Sequence, residues 1–135
     1  MVYELVRWLR EEGIPVHFGV QTHTGLDKPF NKEDLKAIFR EYGAIADIVL
    51  NEMSVALTVG SPEELQQQAR RYADYVSAGL EINEEFRRPV VRAMLPWGIS
   101  DRESDKMRAI FDKDLNPKPA YFAILNALCA AASQP

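Results

Sequence analysis

The chain has 135 residues, 47% of them hydrophobic and 27% charged, with a net charge of −4 and a pI near 5.2. That composition can bury a core, and the length fits one domain or part of one, here residues 1–135. The acidic balance and the lack of a basic block argue against nucleic acid and against an anionic membrane as partners, and no apolar run approaches the ~20 residues of a membrane span.

Met1-Val2-Tyr3-Glu4 has neither the basic start nor the apolar stretch of a signal peptide. As written the chain reads as cytoplasmic, or else as cut from a longer secreted parent, and the sequence leaves localisation open between the two. The single cysteine, Cys129, excludes an internal disulfide and is expected to be a small core residue of an apolar C-terminal helix.

Val2, Leu5, Val6 and Leu9 recur at helical spacing, so residues 2–12 are predicted as an amphipathic helix, stopped at Gly13 with Pro15 beyond. Val16 to Gln21 is predicted as a strand, and Thr22-His23-Thr24-Gly25 as the loop after it. Asn31 is an N-cap, Leu35, Ile38, Phe39 and Tyr42 form the apolar face of a second helix, and Gly43 ends it. Ile48 to Glu52 is the second strand. Ser61-Pro62-Glu63-Glu64 is a strong helix start, with Ser as cap, Pro at the first turn and Glu three residues after the cap. Leu65, Ala69, Tyr72, Ala73, Val76 and Leu80 continue that helix. Arg87-Arg88 read as surface charges before a third strand, Pro89 to Met94. A long polar loop from Ser100 to about Lys118 leads to a last helix, opened by Pro119 and running through Tyr121, Phe122, Leu125 and Leu128.

Helices alternating with strands imply parallel strands and right-handed crossovers. The fold class is therefore α/β: a leading helix plus three βα units. Three strands are too few for a complete barrel, which needs eight and ~250 residues. The expected open edges would favour self-association or union with a missing half.

Ile48-Val49-Leu50-Asn51-Glu52 is the most telling segment: an apolar run that ends on a carboxylate. A carboxylate does not sit inside a buried strand unless it is paired or functional. In α/β barrels catalytic groups stand at the C-terminal strand ends. Glu52 is thus the candidate reactive group. No His/Cys/Asp/Glu cluster has metal-ligand spacing and no glycine-rich phosphate loop is present, so no metal or cofactor is expected. His17 reads as structural.

Four segments, in order, resemble the C-terminal portion of glycoside hydrolase family 10, the retaining endo-β-1,4-xylanases. They are Gly13-Ile14-Pro15-Val16 with Gln21-Thr22-His23, Asn51-Glu52-Met53-Ser54-Val55, Pro96-Trp97-Gly98-Ile99-Ser100-Asp101-Arg102, and Phe111-Asp112 with Pro117-Lys118-Pro119-Ala120-Tyr121. The resemblance implies a partial TIM (β/α)8 barrel, strands six to eight, acting on a β-1,4-linked xylo-oligosaccharide or polysaccharide. It makes Glu52 the nucleophile, His23 the group that hydrogen-bonds it and keeps it ionised, and Gln21 and Trp97 the lining of the adjacent sugar subsite. Asp47 to Glu52 could also be read as the family's acid/base strand. The Gln-Thr-His segment before it and the Trp-Gly-Ile-Ser-Asp segment after it favour the nucleophile strand.

The departures from the family pattern are specific. The acid/base carboxylate, which the family carries on its fourth strand, is absent from this chain. Asn51 stands where the family usually has Thr, and Ser54 where it has Asp. The strand before Gln21 is one residue short. The family's second subsite tryptophan falls near Asp105. Three readings follow: a hydrolase piece holding the nucleophile half of the site, a non-catalytic or vestigial sugar-binding domain, and a structural half-barrel that assembles without ligand.

Overall fold

A computed structural model describes residues 2–103 and 106–133. In chain order the elements are α1 (Val2–Glu11), β1 (His17–Gly25), α2 (Lys32–Gly43), β2 (Asp47–Ala56), α3 (Pro62–Phe86), β3 (Val91–Pro96), a 3-10 turn (Asp101–Glu103) and α4 (Pro119–Ala132). The strands form one parallel sheet in the order β1-β2-β3. Each crossover runs through a helix, and α2 and α3 cover one face of the sheet.

The helix boundaries have local causes. Gly13 takes φ +77°. Its N–H donates to Arg10 O at 3.0 Å, and the Ile14 N–H to Leu9 O at 2.9 Å, the paired bonds of a left-handed helix stop. Asn31 Oδ1 caps α2 by accepting the Glu33 N–H at 2.9 Å. Ser61 Oγ caps α3 by accepting the Glu64 N–H at 3.2 Å. The Glu64 carboxylate turns back and accepts the N–H groups of Thr58, Val59 and Gly60. Those backbone donors, Val59 foremost, hold its pKa below the ordinary glutamate value.

Phe18, Ile48, Leu50, Met53 and Val55 project from the strands into a core with Leu35 and Phe39 of α2 and Tyr72, Tyr75, Ala78 and Ile82 of α3. The other face of the sheet is open. It carries Gly19, Gln21 and His23 of β1, Val49, Asn51, Glu52 and Ser54 of β2, then Ala93, Leu95 and, just past β3, Trp97.

Several expectations need correction. Thr22 to Gly25 is strand, not loop: it pairs with Met53 to Ala56, and Thr24 Oγ1 lies 2.7 Å from the Tyr75 hydroxyl behind the sheet. β2 continues four residues beyond Glu52. β3 begins at Val91 and reaches Pro96. α3 runs to Phe86: Ile82 is fully buried and Phe86 packs on the core before Arg87, at φ 52°, ends the helix. Cys129 is exposed. Only Ala120 of α4 is buried, and Phe122 and Leu125 are about half exposed, so the helix covers little of its own surface against the molecule. Val2, Leu5 and Trp8 of α1 are exposed in the same way, and Val6 carries its contact with the core. Arg88 is not simply solvated: it pairs with Asp47 at 2.7 Å and donates to Gly43 O at 3.0 Å.

The segment between β3 and α4 is held by a buried ion pair. Lys118 Nζ lies 2.9 Å from Asp101 Oδ2 and donates to Met107 O at 2.8 Å, while Asp101 Oδ1 accepts the Ala109 N–H at 3.0 Å. Burial pushes the Lys118 pKa down, although Asp101 works against that shift.

Candidate active site on the open face of the sheet

Strict alternation from Ile48 and Leu50 would aim Glu52 into the core. It does not point there, because β2 is bulged. Val20 pairs with Leu50, but the next residue, Gln21, pairs with Glu52, leaving Asn51 without a partner. β3 sees the same extra residue: Leu50 faces Met94 and Met53 faces Pro96. A bulge puts two residues against one and bends the strand locally. Asn51 and Glu52 therefore share the open face, and alternation resumes with Met53 and Val55 buried. Gly19 makes room for the bulge: a Cβ there would stand 3.2 Å from Asn51 Nδ2.

Glu52 is braced from β1. Gln21 Nε2 donates to Glu52 Oε1 at 3.2 Å, and His23 Nε2 lies 2.8 Å from Glu52 Oε2. The Thr22 hydroxyl donates to the Glu52 carbonyl at 3.4 Å, tying the bulge to the neighbouring strand. On its other side His23 meets Ser54, with Nδ1 2.8 Å from Oγ. The Glu52 side chain keeps 23% of its surface and that of His23 35%, so the carboxylate is reachable. The backbone N–H of Trp97 donates to Met53 O at 2.7 Å and fixes the exit of β3 beside β2. The indole stands nearly perpendicular to the His23 ring, centroids 6.1 Å apart, and is about half exposed.

All four candidate residues, Gln21, His23, Glu52 and Trp97, thus meet on one face. Ser54 joins them, and the sequence noted it only as a departure. A signal for it existed: once the bulge is counted, Glu52 and Ser54 are two apart on one strand and share a face. Asp105 lies outside the described residues.

The three strands contain two carboxylates, Asp47 and Glu52. Asp47 stands at the opposite end of β2, roughly 13–16 Å away by strand rise, and is engaged by Arg88 and Arg92. It cannot work with Glu52 on one bond. An apolar cavity of about 240 Å³ lies on the helix side, among Val76, Leu80, Met94 and Leu128, away from the Glu52 carboxylate. A more open hollow of about 320 Å³ at the free edge of β1 reaches Gln21 and His23 beside Phe30 and Asp34. Among the described residues no group of three or more His, Cys, Asp or Glu side chains could hold a metal ion, and no helix is long and apolar enough to cross a membrane.

Parallel strands, helical crossovers on one face and a polar cluster toward the C-terminal end of the central strand define part of a (β/α)8 barrel. The chain belongs to glycosyl hydrolase family 10, whose model matches residues 1–127. It is 27% identical over 147 residues to an endo-1,4-beta-xylanase of Geobacillus stearothermophilus, an alignment covering 93% of this chain and 43% of that protein. Native xylanase 10B of Thermotoga maritima superposes with a TM-score of 0.79 at 27% identity, over 98% of this chain and 43% of the other. Xylanase 10B of Thermotoga petrophila, solved with xylobiose, gives 0.77 at 27% identity, over 96% and 41%. The chain therefore spans about two fifths of the length of these relatives.

Proposed function

We propose that this chain carries the nucleophile half of a retaining glycoside hydrolase site of the endo-β-1,4-xylanase type, acting on β-1,4-linked xylo-oligosaccharide. The observation that carries the proposal is the bracing of Glu52, with Gln21 on one carboxylate oxygen and His23 on the other. Two hydrogen-bonding partners, one on each oxygen, fix its aim. In this reading Glu52 attacks the anomeric carbon, the bond from that carbon to the leaving oxygen breaks, and a glycosyl ester forms. The half-exposed Trp97 indole offers a flat apolar surface beside it for a sugar ring. The leaving oxygen needs a proton from a second carboxyl group ~5–5.5 Å from the first. β1 to β3 supply none at that distance, so the donor would come from outside these strands.

A 2-fluoro-xylobioside with a good leaving group tests this, because departure then needs little protonation. Intact-mass and peptide spectra are expected to place a covalent adduct on Glu52, absent in Glu52→Gln. A folded protein that takes up no adduct would rule the nucleophile reading out.

A second reading, a non-catalytic half-barrel that binds sugar or associates with itself, is favoured by the exposed apolar residues Leu5 and Trp8 of α1 and Phe122, Leu125 and Leu128 of α4. Light scattering at micromolar concentration would give more than one chain per particle; a clean monomer with a cooperative melt counts against self-association.

A further inference from the structure

Ser54 lies opposite His23 in the β1–β2 ladder and is 1% exposed. A buried hydroxyl must place its proton on an acceptor. Among the described residues the hydrogen-bond partner of Ser54 Oγ is His23 Nδ1, at 2.8 Å. The other ring nitrogen faces Glu52 Oε2 at 2.8 Å, and a carboxylate only accepts. A neutral imidazole satisfies both neighbours in one arrangement: Nδ1 accepts from Ser54, and Nε2–H donates to Glu52.

We propose that Ser54 is a positioning residue that holds His23 as a neutral imidazole, with its single N–H aimed at the Glu52 carboxylate. The inference rests on the reading of Glu52 as nucleophile but concerns the group that aims it. With a hydroxyl at position 54 the ring needs no second proton. A carboxylate there would demand an Nδ1–H, and the ring would become a cation beside Glu52. Ser54 thus leaves the negative charge of Glu52 without a full positive partner, while the two ring bonds fix the imidazole plane. The Trp97 indole, nearly perpendicular to the imidazole, stands on a further side of the ring.

The chain has two histidines, His23 in this network and the more exposed His17, so nitrogen-15 spectra of the imidazoles can be assigned by a single His17→Gln variant. At pH 7 His23 is expected as the Nε2–H tautomer, outnumbering the other by at least ~10-fold, since the alternative forfeits a hydrogen bond to a charged group. Its Nδ1 resonance should sit upfield of a free acceptor nitrogen, as accepting a hydrogen bond requires. Ser54→Ala should move that resonance downfield and leave Nε2 protonated. Ser54→Asp should convert the ring to imidazolium at the same pH. An imidazolium or an Nδ1–H tautomer in the unaltered protein overturns the proposal, and so does an Nδ1 resonance unmoved in Ser54→Ala. The unaltered protein decides the matter even if a variant fails to fold. The spectra read the proton on His23 whether or not Glu52 takes up the fluoro-sugar, so failure here is distinct from failure of the nucleophile reading.

Discussion

Gln21 faces Glu52 across the β1–β2 ladder, one position further along β2 than the pairing of Val20 with Leu50 would give. This offset lets a strand that is buried at Ile48, Leu50, Met53 and Val55 present a carboxylate on its other face. Asn51 is the residue without a partner, so it can be removed without turning any neighbour over. Deleting Asn51 is expected to keep Glu52 opposite Gln21 and to change stability by no more than the ~1 kcal/mol of a typical point change. Deleting Val49, which is paired, turns one half of the strand to the wrong face and should unfold the protein. Urea unfolding of the two deletions checks this; equal losses would mean that the bulge does not set the register.

Gly43 closes α2 directly beneath Val90. A Cβ on it would come within 2.4 Å of Val90 Cγ1, and Val90 is fully buried. Helix propensity alone favours alanine over glycine by about 1 kcal/mol. Overpacking costs typically 1–3 kcal/mol, and a β-branched side chain has little rotamer freedom with which to yield. The clash should win: Gly43→Ala is expected to lower the urea midpoint by the equivalent of about 1–2 kcal/mol with the slope unchanged. A raised midpoint would show that Val90 moves aside freely.

The elements were legible where local chemistry dictates them. Asn31 and Ser61 announce their helices by caps, Gly13 stops one by its positive φ, and the alternation of strand and helix gives the parallel topology. Thr22 to Gly25 was misread because its residues are polar. Their partners, Tyr75 from α3 and Glu52 and Ser54 from β2, are 29 or more residues distant and carry no local signature. Nothing local announces the bulge, which shows only in the pairing of β2 with its neighbours. The resemblance singled out Gln21, His23, Glu52 and Trp97, and the fold brings them together. Ser54 entered only through its geometry. Cys129 was misplaced because the apolar stretch of α4 says that it is a helix, not which side the rest of the molecule covers.

Asp101 and Lys118, each side chain 6% exposed, clamp the two ends of the segment that links β3 to α4. Removing one partner of a buried pair strands the other charge, typically at 3–5 kcal/mol. Asp101→Asn is expected to cost about 3 kcal/mol, because the amide keeps an acceptor for the Ala109 N–H but no charge for Lys118. Replacing both residues together, Asp101→Asn with Lys118→Met, should recover much of that loss, since the amide still serves the Ala109 N–H and no charge is then left buried. Thermal melts of the single and double variants test the coupling; a double variant as unstable as the sum of its parts would place the cost elsewhere.

Asp47 gives the acid response a sign. Partial burial raises its carboxyl pKa, but the hydrogen bonds from Arg92 and Arg88, with the charges they carry, outweigh that and leave it below the ordinary aspartate value. A carboxyl that titrates lower in the folded than in the unfolded chain stabilises the fold fully above its unfolded pKa of ~3.9 and loses that contribution as pH falls through the folded value. Asp47→Asn removes the titrating group, so it should be less stable than the parent protein at pH 7, and the gap should close as pH drops below about 4. Urea midpoints of the two proteins at pH 7 and pH 3 measure the gap directly. A gap that persists or widens at the lower pH would mean that Asp47 stabilises the base of the sheet by shape and not by charge.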